Sequence, residues 1–489
     1  MKFLGKKDYL FLGPLLLGLG VYMYKLTSFP IFADEAIYLN WANRVITGQE
    51  NPFISMFDGK PPLFIWLTGL LFKLIGNLFF SGRLVSVLAL FALGIGIYFL
   101  AKTKKELLWL KTGFLLIIIS PFVFFHGRMA LMDTLLAALL LGAVLAWTQL
   151  KNYSRIIATG LLLGLAFWTK TPALFLVPFP LLSTLIFERN KKTFIAALIT
   201  TVLACLVILS LKVSVWFPYL MNRSEDFSFQ VTEVLAGQRD QIAGNFGHLG
   251  SWLVFYEGWV VIILAIAGIV LGIVKKNKLI INLILVSVMF AAPFLILGKV
   301  VTPRYYLFLG FTIPFLAAFC LQTIGKIPKA IALLLIILFA VSADYKTLSN
   351  PLTAHLAKAD QQQYLWEWSS GIGLREASQF LAKEAQNKKI LILTEGYFGT
   401  LPDGLFVLLE GNSNWHNMEV VGIGGPASEN FVDTILQAKA EQIYYVGNEN
   451  RIDLASREKM KLIKNYPKLN DGAPLQVYEI NNRTNWQAQ

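Results

Sequence analysis

Apolar runs long enough to cross a bilayer recur through the first 349 residues of this chain, and they leave it few folds to choose from. A helix needs roughly 17–25 apolar residues to span. Runs of that kind lie near 9–27, 84–101, 109–126, 130–150, 154–169, 172–187, 193–215, 253–274, 279–297, 304–324 and 329–347. Lipid offers no partner to a bare peptide group, so such runs fold as helices. Only 15% of the residues are charged and 56% are hydrophobic, whereas a soluble domain carries about 25% charged residues. A single soluble core is therefore excluded. The two cysteines, Cys205 and Cys320, sit inside apolar runs, so no disulfide framework is implied. Met1 to Lys25 has a basic start and an apolar stretch but no small-residue cleavage site, and reads as an uncleaved first span.

The net charge is +13, but the lysines and arginines lie in short loops and form no nucleic-acid arm; the partners they imply are membrane lipids. One further apolar run, Pro61 to Phe80, is ambiguous because it contains Lys73 and starts on Pro-Pro. Parity decides its place. If it does not span and the N-terminus is cytoplasmic, the inner loops hold Lys102, Lys104, Lys105 and Lys111, then Lys151 and Arg155, then Arg189, Lys191 and Lys192, then Lys275, Lys276 and Lys278, then Lys326 and Lys329. Every basic short loop then falls on one side, as the positive-inside rule requires. The prediction is eleven spans with 61–80 as an amphipathic helix at the outer interface; a twelve-span arrangement would turn the loop 102–111 outward. The outer face then carries the loops 28–83 and 216–252 and the whole tail.

Composition changes at Ser349-Asn-Pro351, which divides the chain into a membrane domain, 1–349, and an external domain, 350–489. In the tail, Leu374, Ala377, Phe380, Leu381 and Ala385 recur at helical spacing within 373–387. Strands are predicted at 389–394, 442–446 and 475–480 and a second helix at 431–440, which together make a small α/β layer domain. The Gly-rich loop 394–404 follows a strand. It reads either as a tight turn or as a cradle for a phosphate or sugar, and it lacks the dinucleotide and Walker fingerprints.

The spans are nearly free of ionisable groups, and the candidate chemistry lies at their outward ends. Asp34-Glu35 follows the first span; two carboxylates at a membrane surface are costly to desolvate. They fit either a helix cap at Asp34 or a general base taking a proton from a hydroxyl. Lys60, before Pro61-Pro62, fits a phosphate contact or an anchor to lipid headgroups. Arg128 and Asp133 flank one short outward turn and fit an ion pair or a substrate contact; His126 beside them is a lone histidine. Lys170, in Thr169-Lys170-Thr171-Pro172, and Arg304, in Pro303-Arg304-Tyr305-Tyr306, fit snorkelling anchors or phosphate-gripping cations. A phosphate leaving group needs cations and a hydroxyl nucleophile needs a carboxylate.

Taken in order, these motifs resemble the polytopic glycosyltransferases of the C superfamily, on the branch of the protein O-mannosyltransferases and the lipid A aminoarabinose transferase. The matching segments are Asp34-Glu35, Lys60-Pro61-Pro62-Leu63, Arg128 to Asp133, Thr169-Lys170-Thr171-Pro172 and Pro303-Arg304-Tyr305, within about residues 1–350. Gly59 stands before Lys60 where some relatives carry Glu, and the tail has no obvious counterpart. The resemblance implies an inverting transferase in the plasma membrane whose donor is a sugar on a polyprenyl phosphate. The acceptor is a hydroxyl of a protein, glycolipid or polysaccharide outside the cell. Asp34 is then the base; Lys60, Lys170 and Arg304 face the departing phosphate; Arg128 and Asp133 orient the sugar or the base; Glu35 is the base's neighbour or a first-turn helix acid. No cofactor is expected: some members of the superfamily need a divalent metal, this branch generally does not, and the sequence shows no ligand cluster. The rival readings are a flippase or transporter for lipid-linked sugar and a membrane anchor for the external domain.

Overall fold

The computed structural model describes residues 6–188, 190–426, 429–481 and 486; Arg189, used in the charge parity, lies outside them. In chain order the helices of the first part are α1 (Lys6–Met23), α2 (Ala33–Ile46), α3 (Leu63–Ile75), α4 (Leu78–Thr103), α5 (Leu108–Ile119), α6 (Pro121–His126), α7 (Met132–Gln149), α8 (Asn152–Thr169), α9 (Phe179–Phe187) and α10 (Lys191–Leu209). Two short helices, α11 (Ser224–Phe227) and α12 (Val231–Leu235), precede α13 (Asp240–Val274), α14 (Lys278–Leu297), α15 (Leu307–Leu321) and α16 (Lys326–Ser349). The tail contains α17 (Lys358–Gln361), α18 (Leu374–Glu384), β1 (Ile390–Thr394), α19 (Asp403–Leu409), β2 (Met418–Gly422), α20 (Glu429–Gln437), β3 (Gln442–Asn448), α21 (Leu454–Glu458), β4 (Lys461–Tyr466) and β5 (Leu475–Glu479). The chain is a polytopic helical membrane protein with a small α/β sheet domain near its C-terminus.

Among the described residues, seven helical segments are long and apolar enough to cross a bilayer, and shorter apolar helices lie at Tyr9–Met23, Leu63–Ile75, Leu108–Ile119 and Thr171–Phe187. Three of the expected continuous spans, 109–126, 172–187 and 253–274, are broken. The run 109–126 divides at Ser120, whose hydroxyl caps α6, because Pro121 has no N–H to continue the ladder. The run 172–187 opens with a 3-10 turn, Thr171–Leu176, and becomes α-helical only at α9, next to Pro178 and Pro180. The ambiguous run 61–80 folds as α3, 13 residues long. At 1.5 Å per residue that is about 20 Å, short of a ~30 Å hydrocarbon core. It stops at Gly76, whose φ of +76° no other residue adopts readily.

The spans are less free of charge than the sequence suggests. Arg83 at the start of α4 is fully buried, Glu257 is 3% exposed within α13, and Asp344 lies in α16. α13 breaks beside Glu257, at Gly258, where φ is 76° and ψ 152°. There the Glu257 carboxylate accepts a hydrogen bond of 2.8 Å from the Ser120 hydroxyl, so two interrupted helices share one buried polar contact.

The chain forms two compact units. The first comprises 1–26, 50–67 and 83–357, and the second 27–49, 68–82 and 358–489. The second unit is thus more than the tail: it includes the loop after α1 and most of α3. Its sheet has the order β2-β1-β3-β5-β4, with β2, β1 and β3 parallel and β5 antiparallel to both β3 and β4. β1 is buried along its whole length, as a central parallel strand covered on both faces must be. Leu391, Leu393, Ile423, Phe431, Ile435, Ile443 and Tyr445 form the core on one side. β4 is an exposed edge carrying Lys461 and Lys464, with an irregular register between Leu462 and Lys464; charge and irregularity discourage edge-to-edge pairing. The expected helices and strands of the tail are all present, and β2, β4, α17, α19 and α21 are additions.

Candidate active site

The seven residues singled out in the sequence divide between the units. Asp34 and Glu35 belong to the second, while Lys60, Arg128, Asp133, Lys170 and Arg304 belong to the first.

Asp34 does not cap a helix. The N-cap is Phe32, and Asp34 is a half-buried residue inside the first turn of α2. A carboxylate there is favoured by the positive end of the helix dipole. Glu35 is fully buried, and its Oε2 accepts the Phe32 backbone N–H at 3.0 Å, closing the helix start on itself. The tail fixes this segment within its own unit. Ala33 N–H donates to the Ser369 carbonyl at 3.0 Å, and the Phe32 and Tyr364 rings lie 4.5 Å apart. Asn40 donates to Asp403 and Asn43 to Glu410, each at 2.6 Å. Burial raises the Asp403 carboxyl above its ordinary value, opposed by hydrogen bonds from Gly399 N–H and Asn40.

In the first unit, Lys170 and Asp133 meet across α7 and α8: Lys170 Nζ is 2.6 Å from Asp133 Oδ1, with the Asp133 side chain 7% exposed. Lys170 Nζ also lies 4.9 Å from the centre of the Tyr305 ring, and the Arg304 guanidinium 5.5 Å from the same ring. One aromatic ring thus gathers the cations of two hairpins, an arrangement stabilised by the ring quadrupole. Arg304 is held in the 3-10 turn Pro303–Tyr306 by Pro303 and is itself buried.

Arg128 is not paired to Asp133. Its guanidinium donates to the carbonyls of Val21, Tyr24 and Lys25 at 3.3, 2.8 and 3.2 Å. It therefore closes the C-terminal end of α1, where the helix dipole favours a cation. Burial and the neighbouring Arg83 lower it to about 10, so it stays charged at neutral pH. Arg83, which the sequence reading passed over, donates to the Leu26 carbonyl at 2.9 Å; its only signal was an arginine at the outward start of a span.

Lys60 is held by Asp58, Nζ to Oδ2 at 3.3 Å, and Arg223 pairs with the same carboxylate. Burial lowers the Arg223 guanidinium, but its hydrogen bonds to Asp58 and Asp226 outweigh that and leave it raised. Asp58 and Arg223 were also passed over; a lone Asp-Gly turn gives no hint of a partner 165 residues away. Trp66, just beyond Lys60, donates its indole N–H to the Pro52 carbonyl at 2.6 Å and meets the Trp168 ring edge-on at 5.4 Å. This ties the segment after Lys60 to the end of α8 that leads into Lys170. Buried His126 packs among Phe122, Phe125 and Tyr256. Among the described residues no group of three His, Cys, Asp or Glu is gathered as a metal site.

Residues 59–216 match the family of dolichyl-phosphate-mannose-protein mannosyltransferases, a segment that contains Lys60, Arg128, Asp133 and Lys170. The whole structure resembles that of ArnT from Cupriavidus metallidurans bound to undecaprenyl phosphate, with a TM-score of 0.63 and 13% identity over 97% of this chain and 98% of that one. The apo state of the same protein gives a TM-score of 0.63 and 14% identity, covering 96% and 97%. The fold is that of ArnT. A more distant likeness is to the oligosaccharyltransferase of Archaeoglobus fulgidus in complex with Zn and sulfate, with a TM-score of 0.54 and 11% identity over 95% of this chain and 72% of that chain. No curated protein matches by sequence. The similarity to ArnT extends through the tail, for which the sequence offered no counterpart.

Proposed function

We propose that this chain is an inverting glycosyltransferase of the plasma membrane, using a sugar carried on a polyprenyl phosphate and acting at the outer face. The observation that carries the reading is the grouping of Lys170, Asp133, Tyr305 and Arg304 at one end of the helices, in a fold shared with a protein whose structure holds undecaprenyl phosphate. The acceptor hydroxyl gives its proton to the Asp34 carboxylate as its oxygen attacks the anomeric carbon. The bond from that carbon to the phosphate oxygen breaks, and its electron pair leaves with the polyprenyl phosphate. Arg304, Lys170 and Lys60 stabilise the charge that grows on this leaving group. Asp133 neutralises and positions Lys170, while Arg128 holds the end of α1. Glu35 orders the turn that carries Asp34. The acceptor is a protein, a glycolipid or a polysaccharide, and comparing surface glycans by mass spectrometry in cells with and without the protein identifies it.

The decisive test is Asp34→Asn in correctly inserted protein supplied with radiolabelled polyprenyl-phosphate sugar. Transfer falls by about 100-fold or more if Asp34 is the base; undiminished transfer removes that assignment. Buried Glu257 in α13 lends weight to a second reading, movement of the lipid-linked sugar across the bilayer, because intramembrane carboxylates often serve transport. Purified protein that translocates the lipid in liposomes without transferring sugar would establish the second reading over the first.

A further inference from the structure

We propose that the carboxyl ends of the adjacent strands β2, β1 and β3 in the second unit form a binding site for an uncharged saccharide. The site is made from residues of the tail alone and does not rest on the transferase reading.

The topology comes first. β1 lies between β2 and β3 and runs parallel to both. The chain leaves β1 for β2 on one side, then crosses to β3 on the other. In open α/β sheets such a reversal opens a crevice beyond the carboxyl ends of the strands, where ligands bind. Glu395 follows the last residue of β1, and Asn448 ends β3. Glu395 is 4% exposed, and its carboxylate accepts from Asn448 N–H at 2.7 Å and Asn448 Nδ2 at 2.5 Å. Lys468 Nζ reaches Asn448 Oδ1 at 2.6 Å and the Glu367 carbonyl at 2.8 Å. Burial raises Glu395 and lowers Lys468 to about 8. A buried network of this kind is costly, and its members fix one another's positions.

Above the network lies an aromatic rim. Trp368, Tyr397 and Phe398 are 42%, 61% and 61% exposed. The Arg451 guanidinium stacks 5.0 Å above the Trp368 ring and lies 3.7 Å from Glu395 Oε1. Trp368 also abuts the loop after β1: its Cζ3 is 3.3 Å from where a Cβ on Gly399 would be. On the β2 side of β1, Tyr397 lines a cavity of about 300 Å³ together with Gly422 and Ile423 at the end of β2 and Asn430, Asp433 and Thr434.

The chemistry of these groups selects the ligand. Flat exposed rings offer a negative π face to the C–H side of a sugar ring. Amides, a hydroxyl and a carboxylate together donate to and accept from its hydroxyls. Glu395 and Asp433 balance Arg451 and Lys468, which favours a neutral ligand over an anion. In the loop 394–404 the Gly399 N–H is taken up by the Asp403 carboxylate at 2.6 Å and is not offered to a phosphate.

The test uses the full-length protein in lipid nanodiscs, with mannotriose and maltotriose as neutral probes and inorganic phosphate as the anionic one, read by saturation-transfer NMR. At least one saccharide is expected to bind. Its affinity should fall about tenfold in Trp368→Ala and in Tyr397→Ala and be kept in Lys170→Ala. Tyr397→Ala removes an exposed ring and leaves the sheet intact, so it reports even if Trp368→Ala misfolds. Binding by neither saccharide, equal binding by both aromatic variants, or a response to phosphate alone overturns the proposal. So does a spin label at Phe398→Cys that power-saturation EPR places among lipid headgroups, which would make the rim a membrane contact.

Discussion

Charged side chains in this protein are best understood by what they would leave behind. Removing Lys170 would strand the nearly buried carboxylate of Asp133, at a cost of about 3 kcal/mol, whereas removing both charges strands neither. Lys170→Met should therefore lower the thermal unfolding temperature more than the double variant Lys170→Met/Asp133→Asn; the reverse order would show that the pair is not coupled. Asp403 supplies a pH-dependent counterpart. Its carboxyl is raised by burial, so the folded form holds its proton to a higher pH than the unfolded chain does. Stability from this group is complete below the ordinary aspartate range and is lost as pH rises through its raised value. Hydrogen-exchange protection of 399–409, corrected for intrinsic rates, should decline across that window, and Asp403→Asn should remove the decline. The sequence revealed which residues at the ends of the spans were charged but not which met. Lys170 and Arg304 converge on Tyr305 across 135 residues of chain, and no local pattern encodes a contact of that range.

At the scale of elements, the helices and strands with strong periodicity were legible and the interruptions only partly so. The break at Ser120-Pro121 follows from proline chemistry. The break at Gly258 sits inside an apolar run in which a glycine is unremarkable, and only the backbone reveals its φ of 76°. Gly258→Ala forces a side chain into a conformation open mainly to glycine and places its Cβ 3.1 Å from the Phe339 ring. A loss of about 2 kcal/mol is expected, measured as earlier unfolding; an unchanged transition would mean that the helix straightens there without penalty. β4 was hidden because it is an exposed edge with lysines in place of alternation, and β2 because it is only partly buried.

For the whole molecule, the hydropathy pattern and the basic loops implied both a polytopic fold and its orientation. The orientation is tested by single cysteines in a background lacking Cys205 and Cys320. Lys104→Cys should react with an impermeant thiol reagent only after the membrane is opened, and Gly237→Cys in intact cells; outside labelling at Lys104 would overturn the topology. The two-unit organisation was not legible, since nothing in 27–49 announces that it packs with residues beyond 358. Deleting 360–489 is accordingly a poor test of the tail's role, because it also strips the partners of the Asp34 turn. Such a truncation should abolish transfer altogether rather than change acceptor choice, as an assay with several acceptors would reveal.

The bond from Asn40 to Asp403 joins residues 363 positions apart. A ribosome adding about 5–20 residues per second needs roughly 20–70 s to travel that distance. Throughout that interval the turn bearing Asp34 has been made but lacks its tail partners Tyr364, Ser369 and Asp403. The contacts between the earliest loop and the last domain are therefore completed only when synthesis is nearly over.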